Sequence, residues 1–139
     1  MTHPTDTRFD DPVTDLVFRA LVQARAARRL LEEDLPPLLA HTRRPFAAHI
    51  ARRCTGDALF DDAFGRDLDA VIAQLDTLLA AETRIEVHCD PDTGTTWEDP
   101  RQTPDGETLD HVATALRRLR ATLDAVADAR TAETVRNAF

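Results

Sequence analysis

The strongest constraint on the fold is a run of apolar residues in the last third of the chain. Six residues recur there at intervals of three and four: Leu109, Val112, Leu116, Leu119, Leu123 and Val126. This spacing lines up side chains along one stripe of an α-helix and matches the heptad pattern of helices that pack side by side. The seam predicts a helix over 106–130, capped by Asp105, that packs either inside a bundle or between subunits.

Three earlier segments also favour helices. The first is predicted over 12–34, because Asp11 and Pro12 suit a helix start and two prolines follow at 36 and 37. Its apolar stripe consists of Val13, Val17, Ala20, Ala24, Ala27 and Leu31, broadened by Leu16, Leu21 and Leu30. Another helix is predicted over 57–83, with Asp57 as its cap and an apolar stripe of Phe60, Phe64, Leu68, Val71, Leu75 and Leu78.

A helix over 36–55 is predicted between these two. Pro45 interrupts its pattern, because proline removes a backbone donor and crowds the preceding turn. Either this second helix kinks at Pro45, or Thr42 caps a fresh helix there, and the sequence leaves both alternatives open.

Between residues 84 and 105 the helical period is lost. Prolines and glycine punctuate the stretch, and Ile85 alternates with Val87. A short hairpin would run from Arg84 to Cys89, turn through residues 91–94 and return through Thr95 to Trp97. A long loop is the alternative.

Together these segments predict an all-α fold. We expect an antiparallel four-helix bundle with a kinked second helix, and with a long loop or short β-hairpin before the fourth. The domain is expected over 12–130, with a flexible N-terminus over 1–11 and a frayed C-terminus over 131–139.

Composition excludes several kinds of chemistry. The chain has no Ser and no Lys, which rules out a Ser-His-Asp triad, a Schiff base and a P-loop lysine. We therefore expect no catalytic residues and no cofactor. The tetrapeptide Asp92-Thr93-Gly94-Thr95 resembles the aspartic protease signature, but no apolar strand precedes it and those enzymes are rich in β-structure. A solvated turn explains it better.

Charge and hydropathy bear on partners and location. The net charge of −8 disfavours nucleic acid as a partner, and no apolar run is long enough for a membrane span. Residues 1–11 do not resemble a signal peptide, so we expect a cytoplasmic protein with reduced cysteines. Residues 20–56 carry seven Arg against three acids, whereas residues 57–99 carry twelve acids against two Arg. This asymmetry predicts mutual attraction between neighbouring helices, or else a basic patch for an acidic partner.

No metal site is predicted, since the chain has neither a helical His pair at i, i+4 nor a Cys-x-x-Cys motif. Three hypotheses for function remain. The first is a non-enzymatic interaction module, as a homo-oligomer or with another protein, with an interface formed by Trp97, Leu109, Leu116 and Leu123. The second is a bundle that binds a small ligand or metal near His88, Cys89, Trp97 and His111. The third is a transcription-associated regulator that acts through the arginines of the second helix.

Overall fold

The computed structural model describes residues 11–36, 50–54 and 56–138. Three long helices and one pair of strands account for most of them. The helices are α1 (Pro12–Arg29), α2 (Asp62–Ala81) and α3 (Pro104–Ala138), and the strands are β1 (Thr83–Cys89) and β2 (Thr96–Gln102). A π-helical turn, Leu30–Asp34, extends α1, and a 3₁₀ turn, Gly56–Phe60, precedes α2.

The helix starts follow simple capping chemistry. The side chain of Asp11 accepts a hydrogen bond from the Val13 N–H at 3.1 Å, with Pro12 in the first turn of α1. At the start of α3 the Thr103 hydroxyl accepts from the Gly106 N–H at 3.1 Å. The cap of α3 is therefore Thr103 and not the predicted Asp105, because Pro104 already occupies the first helical position.

Helix α3 packs against both α1 and α2 and runs antiparallel to each. Arg120 donates a hydrogen bond to Asp69 of α2 at 2.9 Å. Arg117, about one turn earlier in α3, pairs with Asp76, about two turns later in α2. For α1 and α3 the corresponding observation is the pKa of Asp11, which is lowered mainly by the hydrogen bond from Thr14. The charge of Arg136 of α3 adds a smaller contribution to that lowered pKa. The start of α1 therefore lies near the end of α3.

The predicted seam lies inside this chain's own core. Leu109, Leu116 and Leu123 are all buried, which is the first of the two alternatives that the heptad spacing left open. They belong to one core cluster with buried side chains of α1 and α2, and the interface role predicted for them stays a prediction. The buried residues that face α3 are Ala20, Ala24, Ala27 and Leu31 of α1 and its π turn, and Phe64, Leu68, Val71 and Leu75 of α2.

The acidic residues of α2 bind arginines from two directions. Asp69 and Asp76 pair with α3, and Asp67 pairs with Arg53 from the helical residues 50–53. Arg53 also lies over the Phe64 ring at 5.5 Å. This arrangement accounts for part of the charge asymmetry by attraction between helices, although two of the three arginines come from the last helix.

The all-α fold class is wrong. Residues 83–102, for which the sequence left a long loop or a short hairpin open, form a two-stranded antiparallel sheet with seven residues in each strand. The second strand reaches Gln102, five residues beyond the predicted Trp97, because each of its residues has a partner in β1. The predicted bundle also depends on helix 36–55, of which residues 37–49 lie outside the described part of the chain, together with Pro45.

Two helix boundaries also differ from expectation. Helix α2 begins at Asp62, after the extended residue Asp61, and not at Asp57. Helix α3 does not fray after Arg130 but continues to Ala138, because residues 131–138 contain no proline or glycine to stop it. None of the helices in the described ranges is long and apolar enough to cross a membrane.

Candidate functional site

The hairpin, residues 83–102, is closed by a turn whose residues hold one another. The Asp90 N–H donates to the Thr95 carbonyl at 2.9 Å, and the Gly94 N–H donates to the Asp90 carbonyl at 2.8 Å. The Asp90 side chain accepts from the Asp92 N–H at 3.0 Å. Gly94 has a φ of +72°, a left-handed conformation that glycine adopts at little cost. The DTG tripeptide is thus part of a turn, as its composition suggests.

At its other end the hairpin is joined to the helices. The Thr103 N–H donates to the Glu82 carbonyl at 3.0 Å, and the Thr103 hydroxyl donates to the Glu82 carboxylate at 2.7 Å. Gly106 fits against this junction, since a Cβ there would lie 3.0 Å from the Glu82 carbonyl oxygen. The root of the hairpin is therefore joined to the end of α2 and the start of α3 by hydrogen bonds and close packing.

Alternation along the strands gives the hairpin two different faces. We call one the ionic face, which comprises Arg84, Glu86, His88, Trp97, Asp99 and Arg101. We call the other the aliphatic face, which comprises Thr83, Ile85, Val87, Cys89, Thr96, Glu98, Pro100 and Gln102. Cross-strand partners share a face, so the register decides which side chains meet.

On the ionic face the His88 and Trp97 rings stack. They lie directly opposite each other in the register, with ring centroids 5.5 Å apart and an angle of 23° between the planes. Trp97 remains 51% exposed, so it does not anchor the hairpin to the helices. The Trp97 ring contacts the His88 imidazole and the solvent.

Two carboxylates lie opposite each other beside that stack. Glu86 pairs with Asp99 in the register, and the His88 Nε2 lies 3.6 Å from an oxygen of each. Like charges placed directly across a strand pair repel. Arg101 reduces this repulsion, because its Nε lies 3.5 Å from Glu86 and 3.2 Å from Asp99.

The aliphatic face exposes large apolar side chains. Ile85 is 63% exposed and Val87 is 69% exposed, and no described helix covers them. An isolated two-stranded sheet is only marginally stable in water, and exposed apolar side chains on it favour a further contact. The hairpin therefore presents apolar surface that a further contact would cover.

The two edges of the hairpin differ chemically. Hydrogen bonds join Asp90 to Thr95 and Thr103 to Glu82, one at each end of the ladder. Because bonded pairs alternate along an antiparallel ladder, the backbone groups of odd-numbered β1 residues point outward, as do those of even-numbered β2 residues. Pro100 is one of these β2 residues and has no N–H, so the β2 edge lacks a donor at its centre. The β1 edge keeps all its donors.

The structure brings together only part of the predicted ligand site. His88 and Trp97 are in contact, but Cys89 is on the aliphatic face, where its thiol approaches the Asp90 carbonyl at 3.8 Å. His111 lies about two turns into α3, in a shallow depression that Glu33 and Asp34 also line. Within the described ranges, the group of candidate metal ligands consists of Glu86, His88 and Asp99, without Cys89 or His111.

Sequence reasoning missed Glu86 and Asp99. Both are ordinary acidic residues in a strongly acidic stretch, and their thirteen-residue separation matches no motif. The available signal was the turn through Asp90–Thr95: once the turn is placed, pairing outward from it puts Glu86 opposite Asp99. The predicted return strand ends at Trp97 and therefore does not include Asp99.

Comparisons with models of protein families, with curated proteins and with solved structures give no match for this chain.

Proposed function

We propose that this protein is a non-enzymatic homodimerisation module in which β1 pairs with β1 of a second copy. The two hairpins would form one four-stranded antiparallel sheet, in the order β2, β1, β1 of the partner, β2 of the partner. The observation that carries the proposal is the inequality of the edges, since the outward backbone groups of β1 have no hydrogen-bond partner among the described residues and β2 is interrupted by Pro100.

The charge pattern of β1 selects a second copy as the partner. When two identical strands pair around a twofold axis at Ile85, each Arg84 lies opposite a Glu86 of the partner strand, so the contact contains two ion pairs. In this register the odd-numbered residues form the hydrogen-bonded pairs, which agrees with the outward direction of their backbone groups. Within its own hairpin, Arg84 instead lies opposite Arg101.

The same register also brings apolar side chains of the two copies together. Ile85 meets Ile85 of the partner at the axis, and Val87 extends the aliphatic face on both sides. Four paired strands are more stable than two separate hairpins, because pairing at the β1 edges satisfies their outward backbone groups and brings neighbouring aliphatic side chains into contact. Trp97 lies on the outer strands of this sheet, and its predicted interface role stays a prediction.

A cytoplasmic location fits the proposal. Cys54 and Cys89 are both free thiols in the structure, as expected for a protein in a reducing compartment.

The test is a charge exchange across the proposed axis. Sedimentation equilibrium at tens of micromolar should give a dimer for the wild-type chain. Arg84→Glu alone places four acidic side chains at the axis, two from each copy. It should raise the dissociation constant of the dimer at least tenfold. The double variant Arg84→Glu, Glu86→Arg reverses both partners and should restore dimerisation.

Rescue by the double variant is the discriminating result, because damage to the monomer would not be repaired by a second change. Circular dichroism of each variant gives the matched folding control. A wild-type chain that stays monomeric at 100 micromolar, or a dimer that tolerates Arg84→Glu, would overturn the proposal.

A further inference from the structure

Glu86 and Asp99 form an unfavourable pair that a cation would stabilise. They lie directly opposite each other in the register, and their carboxylates both approach the His88 Nε2 at 3.6 Å. Opposed acids in a strand pair raise the free energy of the hairpin unless positive charge is placed between them. Arg101 supplies some of that charge from a side chain that is 62% exposed and donates to Asp99 at 3.2 Å.

The geometry is that of a set of metal ligands. One ligand atom from each of the three side chains lies within 4.8 Å of the others. Ligand atoms around a tetrahedral Zn²⁺ with bonds of about 2.0–2.1 Å are roughly 3.4 Å apart, so the 3.6 Å separations need only small rotations to match.

We infer that Glu86, His88 and Asp99 bind a divalent transition-metal ion, with water completing the coordination. An imidazole with two carboxylates favours Zn²⁺, Co²⁺ or Ni²⁺ over Mg²⁺ and Ca²⁺, which prefer ligand sets of oxygen alone. The stack on Trp97 orients the imidazole, and the strand pairing holds the two carboxylates in register.

This site goes beyond the proposed dimer and does not depend on it, because all three ligands belong to one hairpin. Ile85→Pro, a change on the edge of β1 and on the aliphatic face, should therefore still bind metal saturably, and at least as tightly as the wild type, because Glu86 then no longer pairs with the partner's Arg84. Failure of the metal site and failure of the dimer are separable in this way.

The chain offers a local reporter for the test. Trp97 is its only tryptophan, there is no tyrosine, and its ring stacks on the proposed ligand His88. Titration of the metal-free full-length chain with Co²⁺ should quench Trp97 emission to saturation. Zn²⁺ should reverse the quenching by displacement, and millimolar Mg²⁺ should not.

Variants assign the ligands. His88→Gln and Asp99→Asn should each weaken Co²⁺ binding by about tenfold or more, since even residues that only support a ligand contribute that much. Arg101→Gln should strengthen binding severalfold, because the guanidinium no longer competes for the carboxylates. His111→Gln is the matched control on α3 and should bind as the wild type does.

Far-ultraviolet circular dichroism of each variant separates loss of a ligand from loss of the hairpin. Unchanged Co²⁺ affinity in folded His88→Gln and Asp99→Asn, or a loss of affinity in His111→Gln, would overturn the assignment. Absence of saturable quenching in the wild-type chain would do the same.

Discussion

Ile85 lies directly opposite Pro100 in the hairpin, and this pair makes the two edges of the sheet unequal. Both residues direct their backbone nitrogens away from the other strand. At Ile85 that nitrogen is a donor with no partner in the described part of the chain, whereas the proline ring at Pro100 leaves no N–H to donate. The hairpin thus presents one edge that a further strand can extend and one that it cannot extend fully.

The edge inequality predicts the effect of a second proline. Ile85→Pro removes the central outward donor of β1 but none of the hydrogen bonds between β1 and β2, because the Ile85 N–H points away from β2. We expect the isolated hairpin to persist and the dimer to dissociate at tens of micromolar. Sedimentation velocity measures the association, and circular dichroism monitors the fold.

Glu98→Pro is the matched control for that change. It places the same residue at an outward position of β2, two residues before Pro100, on the edge that is already interrupted. The dimer should survive it. Equal loss of dimer in both variants would mean that association does not use the β1 edge.

Two glycines should respond differently to replacement by alanine. At Gly106 the added Cβ would meet the Glu82 backbone carbonyl at 3.0 Å, where nothing flexible can move aside. At Gly65 it would meet the guanidinium of Arg120 at 3.0 Å, the mobile end of a long side chain. Alanine is favoured over glycine in a helix by roughly 1 kcal/mol, which offsets part of either clash.

We therefore expect Gly106→Ala to lower the free energy of unfolding by about 1–3 kcal/mol, as overpacked sites do, and Gly65→Ala to change it by less than about 1 kcal/mol. Urea denaturation of the two variants measures the difference. A Gly106→Ala protein as stable as the wild type would show that the root of the hairpin is not closely packed against α3.

Cys54 should make stability fall at alkaline pH. Burial raises the pKa of its thiol from the ordinary 9.0 to about 11, and the residue is 2% exposed. As the pH rises, the unfolded chain therefore loses the Cys54 thiol proton at a lower pH than the folded chain does. The contribution of the neutral, buried thiol is complete below pH 9 and is lost as the pH rises through 11, for a total of about 2–3 kcal/mol.

The composition makes this effect measurable. The chain has no lysine and no tyrosine, so cysteine thiols are the side chains that ionise between pH 9 and 11. Urea denaturation across that range should show the decrease in the wild type and in Cys89→Ala, whose thiol is exposed when folded. A decrease that persists in Cys54→Ala would assign it to another group.

Local structure was largely readable from the sequence. The period of three and four identified the apolar stripes of all three described helices, and Pro12 with Asp11 placed the start of α1. The spacing of an apolar stripe does not show, however, which residues beside the stripe are also buried. Leu21 is expected to broaden the buried face of α1, yet it is 40% exposed, whereas Ala20, Ala24 and Ala27 are buried.

Short-range chemistry likewise located the turn of the hairpin but not its length. The residues around Gly94 determine where the chain reverses, since few others tolerate a positive φ. How far the strands continue depends on pairing between residues up to nineteen positions apart, from Thr83 to Gln102. Weak local preferences in residues 98–102 do not reveal that pairing, so the sequence predicts at most a short hairpin within an all-α fold.

By itself, the sequence determined where helices form, where the chain turns and which chemistry is absent, because these depend on neighbouring residues and on composition. Only the tertiary structure decided that the leucine seam is buried within one chain and that Glu86, His88 and Asp99 share a face. Those outcomes depend on which distant segments pack together and in which register, and a shift of one residue in the register would separate the two carboxylates.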